Sequence, residues 1–133
     1  VSVAMGQLGN SGGQKFWSWY GFESRVEWCA CFASWCAEQS GMVASGQVLK
    51  FSSCAVGASW FQGQGRWKGK GYTPSAGDFI FFDWNKDGQV DHVGIVVNVA
   101  NGRVNTIEGN TSNMVARRSY QLGGIVIVGY GYI

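Results

Sequence analysis

Three of the chain's four cysteines fall within eight residues of "EWCACFASWC", Glu27 to Cys36, and the chain has a single histidine, His92. Cysteine with histidine allows three chemistries: a metal site, a disulfide framework, or a thiol nucleophile with its base. Trp28, Phe32, Trp35 and Cys36 recur at three- and four-residue steps, which is one face of a helix. Cys29, Cys31 and Cys36 then lie on one helix at separations unsuited to bridges among themselves, leaving Cys54 as the one cysteine able to staple any of them. A structural zinc needs four ligands, usually including a C-x-x-C pair, and neither that spacing nor a second histidine exists here. A thiol nucleophile needs a base and a third group to orient that base.

The surroundings of His92 supply such groups. It opens the strand-like run "HVGIVVNV", and the next run, "RVNTIEGN", follows after "ANG", Ala100 to Gly102. A three-residue hairpin loop with glycine in the left-handed third position sets Val99 opposite Arg103, hence His92 opposite Asn110 and Gly94 opposite Glu108. Alternation puts His92, Gly94, Glu108 and Asn110 on one face, and Val93, Ile95, Val97, Val99 and Ile107 on the other. A two-residue "NG" loop would shift the register by one; the three-residue loop is preferred because its apolar face is the more coherent. Gly94 leaves an open spot among a base, a carboxylate and an amide. A helix packing its N-terminal end on that polar face would carry Cys29 to His92, where an imidazolium and the helix dipole both favour the thiolate. Ser24 with Glu27 reads as a capping box that starts the helix a turn earlier and weakens the dipole's share.

These residues must be held by a frame. Helical patterning occupies the first third of the chain and stops at Gly41; Met42 to Tyr72 reads mostly as loop with a short helix. After Pro74 come short β-type runs, "DFIFF", "HVGIVVNV", "RVNTIEG" and "IVIVGYGYI", which form an antiparallel sheet. Helices followed by strands give an α+β fold, with N-terminal helices packed on a twisted antiparallel sheet. At 133 residues and 46% hydrophobic content, the chain is one domain with a real core. Beginning at Val1 without an initiator methionine, it is expected to be part of a longer protein. A net charge of +2 from scattered residues lacks the footprint of a nucleic-acid binder, and no apolar run approaches the roughly 20 residues that span a bilayer.

Together, "EWCACFASWC", "SAGDFIFFDWNKDGQVDHVGIV" and "NTIEGNTS" resemble, in order, spacing and context, the CHAP domain, the cysteine- and histidine-dependent amidohydrolase/peptidase module of bacterial and phage cell-wall lysins. The resemblance implies a papain-like fold and a peptidoglycan hydrolase acting on an amide bond. That bond is either the N-acetylmuramoyl–L-alanine linkage or one within the stem or cross-bridge peptides. It implies Cys29 as nucleophile, His92 as general base, Glu108 as the group orienting the imidazole, and Asn110 as an aid to it or to carbonyl polarisation. It further implies bacterial peptidoglycan as partner, no required cofactor, and a location that is secreted, wall-bound or released from a phage-infected cell; the chain is expected to be a monomer. Two alternatives stand beside it: a wall-binding module without turnover, and a cysteine peptidase acting on protein.

Other residues have competing readings. Cys31, Cys36 and Cys54 read as small buried hydrophobes, with a Cys54 bridge as the alternative. In "DWNKDGQVD", Asp83, Asn85, Asp87, Gly88 and Asp91 match the ligand spacing of a calcium loop, but position twelve is Gly94 where a bidentate carboxylate belongs. The same loop serves as a polar hairpin turn, and any calcium there would be structural. Trp17, Trp19 and Tyr20 read as core, whereas Trp28, adjacent to Cys29, is expected to touch substrate.

Overall fold

The computed structural model describes residues 1–133. Four helices come first, α1 (Ser2–Met5), α2 (Gln14–Tyr20), α3 (Cys29–Gln39) and α4 (Cys54–Gly63). Six strands follow, β1 (Trp67–Gly69), β2 (Phe79–Phe82), β3 (His92–Ala100), β4 (Arg103–Thr111), β5 (Met114–Gln121) and β6 (Ile127–Gly131). They form one antiparallel sheet in the order β1-β6-β2-β3-β4-β5. This is the α+β, papain-like arrangement expected from the sequence. No helix is long and apolar enough to cross a membrane.

Helix α3 starts at Cys29, with Trp28 as its N-cap and no capping side-chain bond, so the Ser24–Glu27 capping box does not form. Its end is a Schellman motif: Met42 N–H donates to the Ala37 carbonyl and Gly41 N–H to that of Glu38, with Gly41 left-handed at φ 78°. Its buried face lies on the sheet through Phe32, Ile95 and Ile107 and, beside them, through Ala33, Phe81 and Val93. Gly109 on β4 permits this closeness, since a Cβ there would meet Phe32 Cβ at 2.5 Å.

The β3–β4 hairpin corrects the expected loop. Ala100 pairs with Arg103, so Asn101 and Gly102 alone form the turn, both at positive φ (54° and 74°) as a type I′ turn requires. A bulge at Val97 then moves the register by one, and Ile95 pairs with Ile107 as the longer loop would have had it. Two departures cancel at the His92 end. Between turn and bulge they do not, and Val99 packs with Val96 and Val104 instead of on the helix face.

The face opposite α3 is not simply polar. Ile80, Phe82, Val96, Val104, Ile127 and Tyr130 bury a further core there. At the end where β3 begins this face carries His92 and Glu108. Helix α4 extends through a stretch expected to be mostly loop, started by Ser53, whose hydroxyl accepts from Val56 N–H at 3.3 Å. Strand β5 has no counterpart in the sequence reading, because its exposed "ARRSYQ" lacks a clean apolar alternation.

Candidate active site

Cys29 is the first residue of α3, where the N–H groups of the opening turn have no intrahelical acceptor and the dipole is positive. The helix lies on the Val93 face of the sheet, not on the face carrying His92 as expected. Cys29 and His92 nevertheless line one open pocket of about 450 Å³, because His92 is the first residue of β3 and sits at the sheet's rim. His92 and Cys29 are 8% and 5% exposed, so the pair is nearly dry but reachable.

His92 Nε2 is hydrogen-bonded to Glu108 Oε1 at 2.8 Å, which leaves Nδ1 to serve Cys29. Glu108, 1% exposed, passes over Gly94: a Cβ on that glycine would lie 2.7 Å from Glu108 Cγ. The space foreseen at Gly94 therefore holds the carboxylate's own stem. The second oxygen, Oε2, accepts from Thr106 Oγ1 at 2.5 Å and Tyr120 Oη at 2.7 Å. Three donors fix the carboxylate that fixes the imidazole.

The Cys29 thiol is lowered from its ordinary value to about 5, first by the hydrogen bond from Cys54, whose Sγ lies 3.3 Å away. Burial opposes this, and His92 and the Val93 N–H add to the lowering. Burial alone would depress the imidazole, but the bonds and charges of Cys29 and Glu108 prevail and raise it to about 10. Both shifts run in the direction that favours a thiolate on Cys29 and an imidazolium on His92. Burial pushes Cys31 up to about 11 and Cys36 up to about 12. All four cysteines are free, and Cys31 and Cys36 are the buried hydrophobes foreseen.

Asn110 also borders the pocket but is turned aside. At φ 59° its amide nitrogen donates to Glu27 and its oxygen accepts from Arg25 Nη2 at 2.9 Å, tying β4 to the segment before α3. It makes no hydrogen bond with His92. Trp28 requires a correction: it is fully buried, stacked on Phe16 and donating to Asn113 Oδ1 at 3.2 Å, because an N-cap side chain here turns into the aromatic core. The exposed tryptophan beside His92 is Trp84, with ring centroids 5.8 Å apart.

The Asp83–Asp91 loop folds on its own amides. Asp91 accepts from Trp84 and Asn85 N–H, Asp83 from Asp87 and Gly88 N–H, and Asp87 from Gln89 N–H. These bonds make the loop the polar hairpin turn that the sequence also allows, with Asp83, Asp87 and Asp91 engaged by backbone amides.

Sequence reasoning missed Thr106, Tyr120, Trp84 and the closeness of Cys54. Thr106 was legible in principle, being two residues from Glu108 on the same strand and so on the same face.

A family model described as CHAP domain matches residues 19–110, a span that contains Cys29, His92, Glu108 and Asn110. No curated protein matches the chain in sequence. Among solved structures, that of Ly7917 is 18% identical, with a TM-score of 0.58 over 96% of this chain and 58% of that one. Ly7917 solved with the hydrolyzing product of MDP is 22% identical, with a TM-score of 0.52 over 77% of this chain and 52% of that one. The likeness is one of fold, and this chain spans little more than half the length of those structures.

Proposed function

The chain belongs to the CHAP family, and on that premise we propose that it hydrolyses an amide bond of bacterial peptidoglycan with Cys29 as nucleophile and His92 as acid and base. The observation that carries this reading is the convergence of Cys29, His92 and Glu108 on one open pocket, with the His92–Glu108 bond at 2.8 Å.

The Cys29 thiolate attacks the amide carbonyl, and negative charge develops on its oxygen. The N–H of Cys29, in the first turn of α3, would receive that charge; such a donor contributes about 10²–10³ in rate. The His92 imidazolium gives its proton to the departing amine as the carbon–nitrogen bond breaks, leaving a thioester on Cys29. Neutral His92 then takes a proton from water, whose oxygen attacks the thioester and releases the acid and the thiolate. Glu108 keeps the ring oriented throughout. Asn110 acts on the rim, where its link to Glu27 and Arg25 holds the pocket wall.

The protein is proposed to act as a monomer. The place of action follows the substrate: the wall, the medium, or a lysing phage-infected cell. Ly7917, solved with the hydrolyzing product of MDP, makes MDP the first small substrate to offer and an amidase the first specificity to examine; the stem and cross-bridge peptides are the other choices. Purified sacculi, MDP and casein should be incubated separately with the protein and the fragments weighed. Wall or MDP fragments with new amino groups support the reading. Cleavage of casein alone makes it a protein-directed peptidase, and retention on walls without cleavage makes it a binding module.

A further inference from the structure

Cys54 has no part in the mechanism above, yet its side chain is in hydrogen-bond contact with the nucleophile. It is the first residue of α4, on a segment remote in sequence from α3, and its Sγ lies 3.3 Å from that of Cys29. Both residues are buried, at 8% and 5% exposure. Two thiols at this distance share one proton advantageously when one of them is ionised, since a thiolate accepts an S–H bond; adjacent cysteines in C-x-x-C motifs lower a nucleophile's pKa in this way. The pocket decides which sulfur is ionised. Cys29 faces His92 and the Val93 N–H, whereas the hydrogen bond to Cys29, burial, and the charges of Cys29, Asp91 and Cys31 all hold the proton on Cys54.

We propose that Cys54 is a positioning residue for the reaction: its S–H donates to the Cys29 sulfur, holding that sulfur as a thiolate and aiming it across the helix N-terminus toward the pocket. The bond is made in the resting enzyme. It loosens when the sulfur forms the thioester and loses its charge, and returns when hydrolysis frees the thiolate. The contact thus favours the ionised resting state and the release of product, while His92 alone handles the proton passed to the amine.

The inference rests on Cys29 being the nucleophile, and the test separates the two claims. The rate of Cys29 alkylation by iodoacetamide is followed against pH, by peptide mass mapping, in the parent and in Cys54→Ala, Cys54→Val and Cys54→Ser, each checked for fold by circular dichroism. In the parent the rate reaches half its plateau well below the ordinary thiol range. Removing the donor in the Ala and Val variants is expected to raise that midpoint by about one to two pH units; Ser, which restores an O–H donor, brings it most of the way back. If Ala does not fold, Val fills the volume and carries the comparison. An unmoved midpoint in a folded Ala or Val variant overturns the inference, as does a Ser variant that tracks Ala. A parent whose Cys29 labels no earlier than Cys31 and Cys36 overturns instead the assignment of the nucleophile.

Discussion

A methyl group at position 94 tests whether the placement of Glu108 controls the chemistry. In Gly94→Ala the new carbon would sit 2.7 Å from Glu108 Cγ, 3.3 Å from Cδ and 3.4 Å from Oε2. Carbon atoms rest comfortably at about 3.5–4.0 Å, so the Glu108 stem must move by roughly 1 Å. It cannot do so freely, because its two oxygens are bound to His92, Thr106 and Tyr120 at 2.8, 2.5 and 2.7 Å. Either a bond to the carboxylate breaks or the imidazole moves with it. Overpacking of this kind costs about 1–3 kcal/mol of stability. A 1 Å misplacement in a catalytic group lowers rate by about 10²-fold, and a similar fall in kcat/KM is expected here with the fold retained. The assay is amine release from purified sacculi, alongside thermal unfolding by circular dichroism. Gly69→Ala on the edge strand β1, where a Cβ meets nothing within 4 Å, is the control and is expected to keep parent activity. A Gly94→Ala protein that unfolds as the parent does and keeps its rate within about twofold would refute the reasoning.

Tyr120→Phe and Thr106→Val each remove a donor from the buried Glu108 carboxylate and are expected to lower stability by about 1–3 kcal/mol and to reduce kcat/KM; unchanged values for both would deny the clamp. Cys29 loses its proton above about 5 and His92 keeps its own up to about 10, so kcat/KM should rise with pH through the first value and fall through the second, and a narrow optimum outside that window would contradict the ion pair. Hydrogen peroxide should oxidise the Cys29 thiolate to a sulfenic acid with release of hydroxide, after which the Cys54 thiol displaces water to close a disulfide. Peptide mapping should find the linked pair, reversible by added thiol; a sulfinic acid at Cys29 beside an untouched Cys54 would speak against the contact.

How far the site was legible depended on the kind of signal. The helix beginning near Cys29, its stop at Gly41 and the alternation of β3 and β4 are local patterns, and they placed the thiol, base and carboxylate on their elements. The Asn101–Gly102 turn is local too, but the bulge at Val97 that offsets it is dictated by packing against neighbouring strands and has no marker among flanking valines. A loop one residue longer, without the bulge, sets Gly94 opposite Glu108 all the same. Trp28 was misread for a related reason: adjacency to a nucleophile says nothing about direction, and the helix start sends the side chain into the Phe16 cluster. Cys54 and Tyr120 come to the site from α4 and β5, through contacts between segments distant in the chain, and periodicity cannot register those. The spacing of carboxylates in the Asp83–Asp91 loop also suits the backbone amides of a tight turn, and the loop makes those bonds.

New amino groups appearing in purified sacculi under the parent protein and under Cys29→Ala give the most direct test of the whole. The parent should release them steadily, and the variant, folded by circular dichroism, should release none above background. Release by the folded Cys29→Ala protein at a rate near the parent's would mean that the sulfur at the head of α3 is not the nucleophile.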